Sequence, residues 1–323
     1  FQTEALCVVP ANLSIGTVTT NTAELTWDAT TATDYNVQYR PTLPPGGAWM
    51  LVTNVVPPYE VTGLTAGVDY EFDVQANCSN GSSSAFSQDF VRFTTEAISG
   101  ITVQLKVFLE GPYLGGGIMN NSLNIQGVIP NNQPYTITPF NYSGTETIDA
   151  NALPSNVIDW VLVEATTDRT TDGIVESHAA LLLENGDIVD VNGNGGIVFS
   201  NLTAGNGYYY IVRHRNHMDI VSANSITDAD GITTYDYTIS NEIIGTLSQQ
   251  NALSDGAFAM QAGDLDGNLN VNTFDAIIWV QQNAELNLYL SGDMDFNVNV
   301  NTFDILKWVL NNANLGLSDI MPN

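Results

Sequence analysis

Lysine and arginine are nearly missing: the 323 residues carry only 7 of them against 35 acidic residues, a net charge of −28. A surface of that sign repels phosphate backbones and anionic headgroups, which excludes nucleic acid as a partner. No apolar run is long enough to cross a bilayer, so membrane insertion is not expected either. Histidine occurs three times (His178, His214 and His217) and cysteine twice (Cys7 and Cys78). That scarcity leaves no paired-cysteine metal site, and no Ser-His-Asp motif or phosphate-cradling glycine loop stands out. The 44% of hydrophobic residues suffices for packed cores, and the length fits two or three domains. The chain opens at Phe1 without a leader, as a processed or excerpted segment of a longer exported product would.

What is present is concentrated in the last fifth, where one loop occurs twice. Asp264, Asp266, Asn268, Asn272 and Asp275 fill positions 1, 3, 5, 9 and 12 of a twelve-residue loop, and Asn270 at position 7 offers a backbone carbonyl. Asp293, Asp295, Asn297, Asn299, Asn301 and Asp304 repeat the pattern. This is an oxygen-only ligand set for a hard cation, Ca2+, in an EF-hand-type loop, and two sites are expected. Three carboxylates per loop repel one another until a divalent ion neutralises them. Val271 and Val300 at position 8 suit a short strand pairing the loops back to back, and an apolar helix follows each position 12. Asp275 and Asp304 then sit in the first helical turn, where a carboxylate also favours the helix dipole. A single copy could be a solvated Asn/Asp-rich turn; two copies in one register argue for metal.

Residues 262–315 resemble a type I dockerin, or the dockerin-like pair near the ends of exported bacterial multidomain proteins. Two departures stand out: Leu269 and Val298 replace the usual glycine at position 6, and Asn268 and Asn297 replace aspartate at position 5. A bulky residue at the sharp turn costs strain, most for β-branched Val298, so the second loop is expected to bind more weakly. The resemblance implies cohesin contacts through positions 10 and 11, here Thr273 and Phe274, and Thr302 and Phe303. Packing of both phenylalanines inside the domain is the preferred expectation.

Residues 9–96 read as short alternating strands, at 24–27, 35–39, 70–74 and 91–95. Leu64 to Tyr70 has the spacing of a tyrosine corner, and with Trp27 the segment resembles a fibronectin type III domain. That topology brings the start of the first strand and the end of the sixth to one pole, which makes a Cys7–Cys78 disulfide reasonable; two buried thiols are the alternative. Pro44, Pro45, Gly46 and Gly47 read as a loop.

Residues 97–258 show strands at 101–108, 159–163, 179–183, 208–212 and 234–239, with no convincing amphipathic helix, which predicts a jelly-roll or immunoglobulin-like sandwich. Stretches at 107–113, 159–164 and 212–217 resemble a module of proteins exported by the type IX secretion pathway. His178, His214 and His217 could form a zinc or catalytic cluster with Asp219 or Glu164, or a structural corner in which Arg213 and Arg215 pair with Asp159 and Glu164. His214 and His217 lack the helical spacing and the glutamate of a zinc protease, which favours the corner. Tyr208, Tyr209 and Tyr210 could stack on a glycan, although alternate strand positions usually face a core.

The reading is therefore mostly β, with a fibronectin type III-like domain at 1–97, a β-sandwich at 98–258 and a small α-helical dockerin-like domain at 259–323. It implies a noncatalytic, calcium-rigidified structural or adhesive protein of the bacterial surface or extracellular space, as stalk, filament or matrix subunit. Its partners would be other copies or other surface proteins. A glycan-binding appendage of an exported enzyme, or docking to a partner protein, is the alternative.

Overall fold

The computed structural model describes residues 7–42, 47–149, 153–228, 230–239 and 250–313. Pro44, Pro45 and Gly46 of the expected loop lie outside them. The chain divides into two compact units, Phe1–Ile98 and Ser99–Asn323. The stretches 98–258 and 259–323, read from sequence as two domains, thus lie almost entirely within one unit.

In the first unit, strands Ser14–Val18, Thr22–Thr26 and Tyr59–Thr62 form one sheet. Strands Met50–Val55, Asp34–Pro41, Asp69–Asn77 and Val91–Thr94 form the other, in that order. Alternate residues such as Tyr35, Val37 and Tyr39 meet Leu25, Trp27 and Phe72 between the sheets, as period-two patterning demands. The tyrosine corner is present: the Thr65 N–H donates to Tyr70 Oη at 3.0 Å. Cys7 and Cys78 are bonded, with Cα atoms 5.8 Å apart and a separation of 71 residues. Closing a loop of that length removes denatured-state entropy worth about 4 kcal/mol. The double variant Cys7→Ser/Cys78→Ser should lose about that much unfolding free energy in denaturant titration, whereas a loss below about 1 kcal/mol would contradict the entropic account.

The second unit packs two sheets over a shared core. One runs Ile188–Val189, Ile174–Leu183, Val157–Thr166, Gly207–His214, His217–Val221, all antiparallel. The other runs Ile197–Thr203, Ser99–Lys106, Ile232–Asp236, its last pair parallel. Val157–Thr166 is buried at every position, which is why its sequence shows no alternation. Residues outside the strands cover it too: the Tyr135 hydroxyl donates to the Trp160 carbonyl at 2.8 Å, and Leu123 of the one-turn helix α1 (Ser122–Ile125) joins the core. A second tyrosine corner repeats the first, with the Thr203 N–H on Tyr208 Oη at 3.2 Å. Its Leu202-Thr203-Ala204-Gly205 signature copies Leu64-Thr65-Ala66-Gly67 and is legible in the sequence.

Candidate metal centre

Both loops run directly into ten-residue helices, α2 (Thr273–Gln282) and α3 (Thr302–Asn311). Asn272 and Asn301 at position 9 are the N-caps, each accepting the N–H of the phenylalanine two residues on at 2.8 Å. Asp275 and Asp304 complete the capping boxes, each accepting the N–H of its own N-cap at 2.8 Å. Asp275 Oδ1 also takes the Leu265 and Asp266 amides at 2.7 and 3.2 Å, and Asp304 Oδ1 takes those of Met294 and Asp295 at the same distances. Asp264 accepts the Asn268 and Leu269 amides at 3.0 and 2.9 Å, matched by Asp293 with Asn297 and Val298 at 3.1 and 2.9 Å. Backbone donors thus fix the carboxylates at positions 1 and 12 before any ion is considered. One carboxylate oxygen from each of Asp264, Asp266 and Asp275 lies within 4.8 Å of the other two, and the same holds for Asp293, Asp295 and Asp304.

Burial and mutual repulsion raise the carboxyls of both clusters. Burial, then repulsion from Asp219 and Asp275, drives the Asp264 carboxyl well above the ordinary range. Burial raises Asp293 to about 7 although Arg215 opposes it, and Asp304 and Asp295 add to the rise. Asp275 and Asp304 are pushed to about 6, again first by burial. Asn268 Oδ1, at position 5, is buried without a hydrogen-bond partner. An orphaned oxygen beside three crowded carboxylates fits a hard divalent cation.

Position 6 makes the sharp turn in both loops, with φ at +62° for Leu269 and +63° for Val298. Left-handed backbone costs a non-glycine residue on the order of 1–2 kcal/mol, more when the side chain is β-branched. Position 4 is left-handed as well; glycine meets that need in the first loop, and Phe296 at φ +60° carries the strain in the second.

Two sequence expectations need correction. The loops do not pair through position 8. The Val271 carbonyl instead accepts the Ala313 N–H at 2.8 Å, while Val300 exchanges bonds with Glu285 and Ala284 at 3.0 and 2.8 Å. Each loop is thus closed by the chain leaving the other repeat's helix. Trp279 and Trp308 reinforce the exchange, their indole N–H groups reaching the Asn301 and Asn272 carbonyls at 3.2 and 2.8 Å. Nor do the position-11 phenylalanines pack inside: Phe274 is 65% and Phe303 66% exposed. Phe296 and Val298 fill the core contacts instead, which leaves this helix face outward.

The sandwich seats both loops. Leu269 packs on Ile211 and Val221, with Tyr209 beside them. Asn120 Nδ2 donates to the Asp295 and Phe296 carbonyls at 3.0 and 3.1 Å, and Asn216 Nδ2 to those of Ser291 and Asp293, both at 2.9 Å. Gly111 lies so close that a Cβ there would fall 1.8 Å from the Met294 carbonyl oxygen.

The histidine–arginine corner is this seat. His214 and His217 are fully buried, His214 Nε2 lying 3.2 Å from Asp159. Arg215 binds the same carboxylate at 2.9 Å and donates to the Leu290 carbonyl, while the Tyr289 hydroxyl reaches Asp159 at 2.6 Å. Arg213 pairs with Asp219 at 2.7 Å and Glu164 at 3.7 Å. The Gly111 N–H donates to His217 Nε2 at 3.2 Å. Burial holds both histidines below their ordinary pKa, His217 furthest, and lifts Glu164 to about 7. The expected pairing of the arginines with carboxylates is what the structure contains. His178 stands apart, 2.9 Å from Glu176. Tyr208 and Tyr210 belong to the core, and Arg169 lies over the ring of half-buried Tyr209 at 5.5 Å.

No curated protein matches this chain. Among solved structures, the fibronectin type III domain of the human collagen alpha-1(XX) chain is 28% identical, covering 30% of this chain and 93% of that one, with a TM-score of 0.25. A myokine structure is 19% identical over 28% of this chain and 99% of its own, also at 0.25. The family model of the fibronectin type III domain matches residues 8–92, and that stretch of the first unit is such a domain.

Proposed function

We propose that the chain is a noncatalytic structural or adhesive protein of the extracellular space or bacterial surface, exported by a type IX-like route and rigidified by two calcium ions. A fibronectin type III domain is typically a noncatalytic structural or adhesive module, and the Cys7–Cys78 bond fits an oxidising, extracellular setting. Among the described residues no helix is long and apolar enough to cross a membrane. The observation that carries the reading is the pair of three-carboxylate clusters, held by capping boxes and backbone amides. Bound calcium would supply the positive charge that lets six crowded carboxylates ionise without repulsion. Asp264, Asp266, Asn268, Asn270, Asn272 and Asp275 would hold one ion, and Asp293, Asp295, Asn297, Asn299, Asn301 and Asp304 the other. The ordering of the loops would then pass to the sandwich through Leu269, Phe296 and Arg215.

The second loop should bind more weakly, because Phe296 and Val298 both sit in left-handed backbone where the first loop spends only Leu269 and a glycine. Calorimetric titration of Asp264→Ala and Asp293→Ala variants checks this: the site left in Asp293→Ala, which keeps the first loop, should be the tighter. Equal affinities would sink the strain argument.

Docking of a partner protein on the dockerin-like pair is a second reading, favoured by the outward Phe274 and Phe303. A Phe274→Asp/Phe303→Asp variant should keep calcium affinity and lose such a partner.

A further inference from the structure

The smaller sheet of the second unit carries a cleft of about 360 Å³. Strand Ser99–Lys106 pairs with Ile197–Thr203 only as far as Val103, so Gln104 and Lys106 have the chain at 187–196 beside them instead of a strand. Gly196 lets that wall come close: its φ is +84°, and a Cβ there would fall 2.7 Å from Thr102 Cγ2. Asp190 fixes the turn by accepting the Asn192 and Asn194 amides at 2.9 and 2.8 Å, so the cleft is preformed. On the other side the parallel register sets Thr234 beside Gln104 and Asp236 beside Lys106, and strand alternation turns all four side chains to one face. Two of the carboxylates are held in place with an oxygen to spare. Thr238 donates its N–H and hydroxyl to Asp236 Oδ1 at 2.7 and 2.6 Å, leaving Oδ2. Asn185 Nδ2 donates to Asp187 Oδ2 at 2.7 Å, leaving Oδ1 3.7 Å from Lys106 Nζ, past hydrogen-bonding distance.

We infer that this cleft binds a neutral sugar residue. The charges select the class. An anion drawn to Lys106 meets Asp187 and Asp236, and a cation drawn to either carboxylate meets Lys106, so neither gains much. A hydroxyl donates and accepts at once. A ring bearing several of them suits an ammonium, two carboxylates, the Gln104 amide and the Thr234 hydroxyl set around one cavity. The volume stands near the lower end of ligand pockets, about 300–1,000 Å³, which suits a small ligand. Tyr208 and Tyr210, the residues offered by sequence for glycan stacking, lie in the core, and this cleft is on the other sheet.

The site involves none of the metal-loop residues and goes beyond the structural reading, so titration in calcium and in chelator keeps the two claims separate. Calorimetry of the full chain uses the methyl glycosides of glucose, galactose and mannose, with glucuronate and glucosamine as charged counterparts. The expected result is saturable binding of a neutral glycoside in both buffers, tighter than that of either charged sugar. Lys106→Met should weaken it by about tenfold or more and Gln104→Ala by about threefold or more, as loss of a charged and of a neutral hydrogen bond does. Both side chains reach solvent, and unchanged melting temperatures would show that the variants fold. Tyr209→Ala, on the other sheet, should bind as the parent does. A chain that binds none of the neutral glycosides, or prefers a charged sugar, overturns the inference. So does binding that is undiminished in both cleft variants or lost in Tyr209→Ala, which would place a glycan site elsewhere and leave the metal loops untouched.

Discussion

Gly111→Ala should unseat the second loop. The added methyl would meet the Met294 carbonyl, a backbone group that cannot swing aside, so either the sandwich or the loop must shift. Overpacking of this kind typically costs about 1–3 kcal/mol, and the upper end applies where the obstacle is backbone. The Gly111 N–H also donates to His217, so displacement loosens the buried hydrogen-bond set around Asp159. Thermal melts should show a drop of several degrees, and calcium should bind the second loop less tightly. Gly195→Ala is the control: nothing lies within 4 Å of its Cβ position, and its melt should match the parent. Equal melts for both variants would mean that the close approach carries no energy.

Calcium-free protein should lose stability as pH rises, and calcium should reverse that trend. In the folded chain Asp293 titrates at about 7 and Asp264 well above the ordinary range, against about 3.9 for an unfolded aspartate. A carboxyl with a raised folded pKa stabilises the fold while protonated. Its contribution is whole below the unfolded value and is lost as pH climbs through the folded one. In chelator the melting temperature should therefore fall between about pH 6.5 and about pH 8, by an amount on the order of a few kcal/mol in stability. Below about 6.5 the buried histidines oppose the trend, because their depressed pKa values favour the neutral form and that stability fades as they charge. With calcium bound, the carboxylates are held ionised, and melting should be flat or rising over the same interval. A chelated protein that gains stability from pH 6.5 to 8 would contradict the raised carboxyls.

The fold of the two acidic loops is legible because it is local. The carboxylate spacing, the sharp turn at position 6 and the helix after position 12 all follow from a dozen consecutive residues, and the observed capping boxes agree. Tyrosine corners are local in the same way, and the copy at Leu202–Tyr208 could have been found by repeating the first. What sequence does not reveal is which faces meet. Val157–Thr166 is buried on both sides, so its pattern carries no direction. Phe296 reads as an ordinary loop residue, yet it joins the sandwich core, while Phe274 and Phe303 face outward. Gly111 has no motif at all; its role exists only once Met294 is brought against it. The position-8 valines suggested loop-to-loop pairing because sequence showed two matching strands and could not show the helix exits that close them instead.

Titration of the chelated full chain with calcium, followed by calorimetry and repeated as thermal melts, tests the central claim most directly. Two ions per chain with a rise in melting temperature, reduced to one in Asp264→Ala or Asp293→Ala and to none in the double variant, is the expected result. No heat of binding, and melts that superimpose with and without calcium, would contradict it.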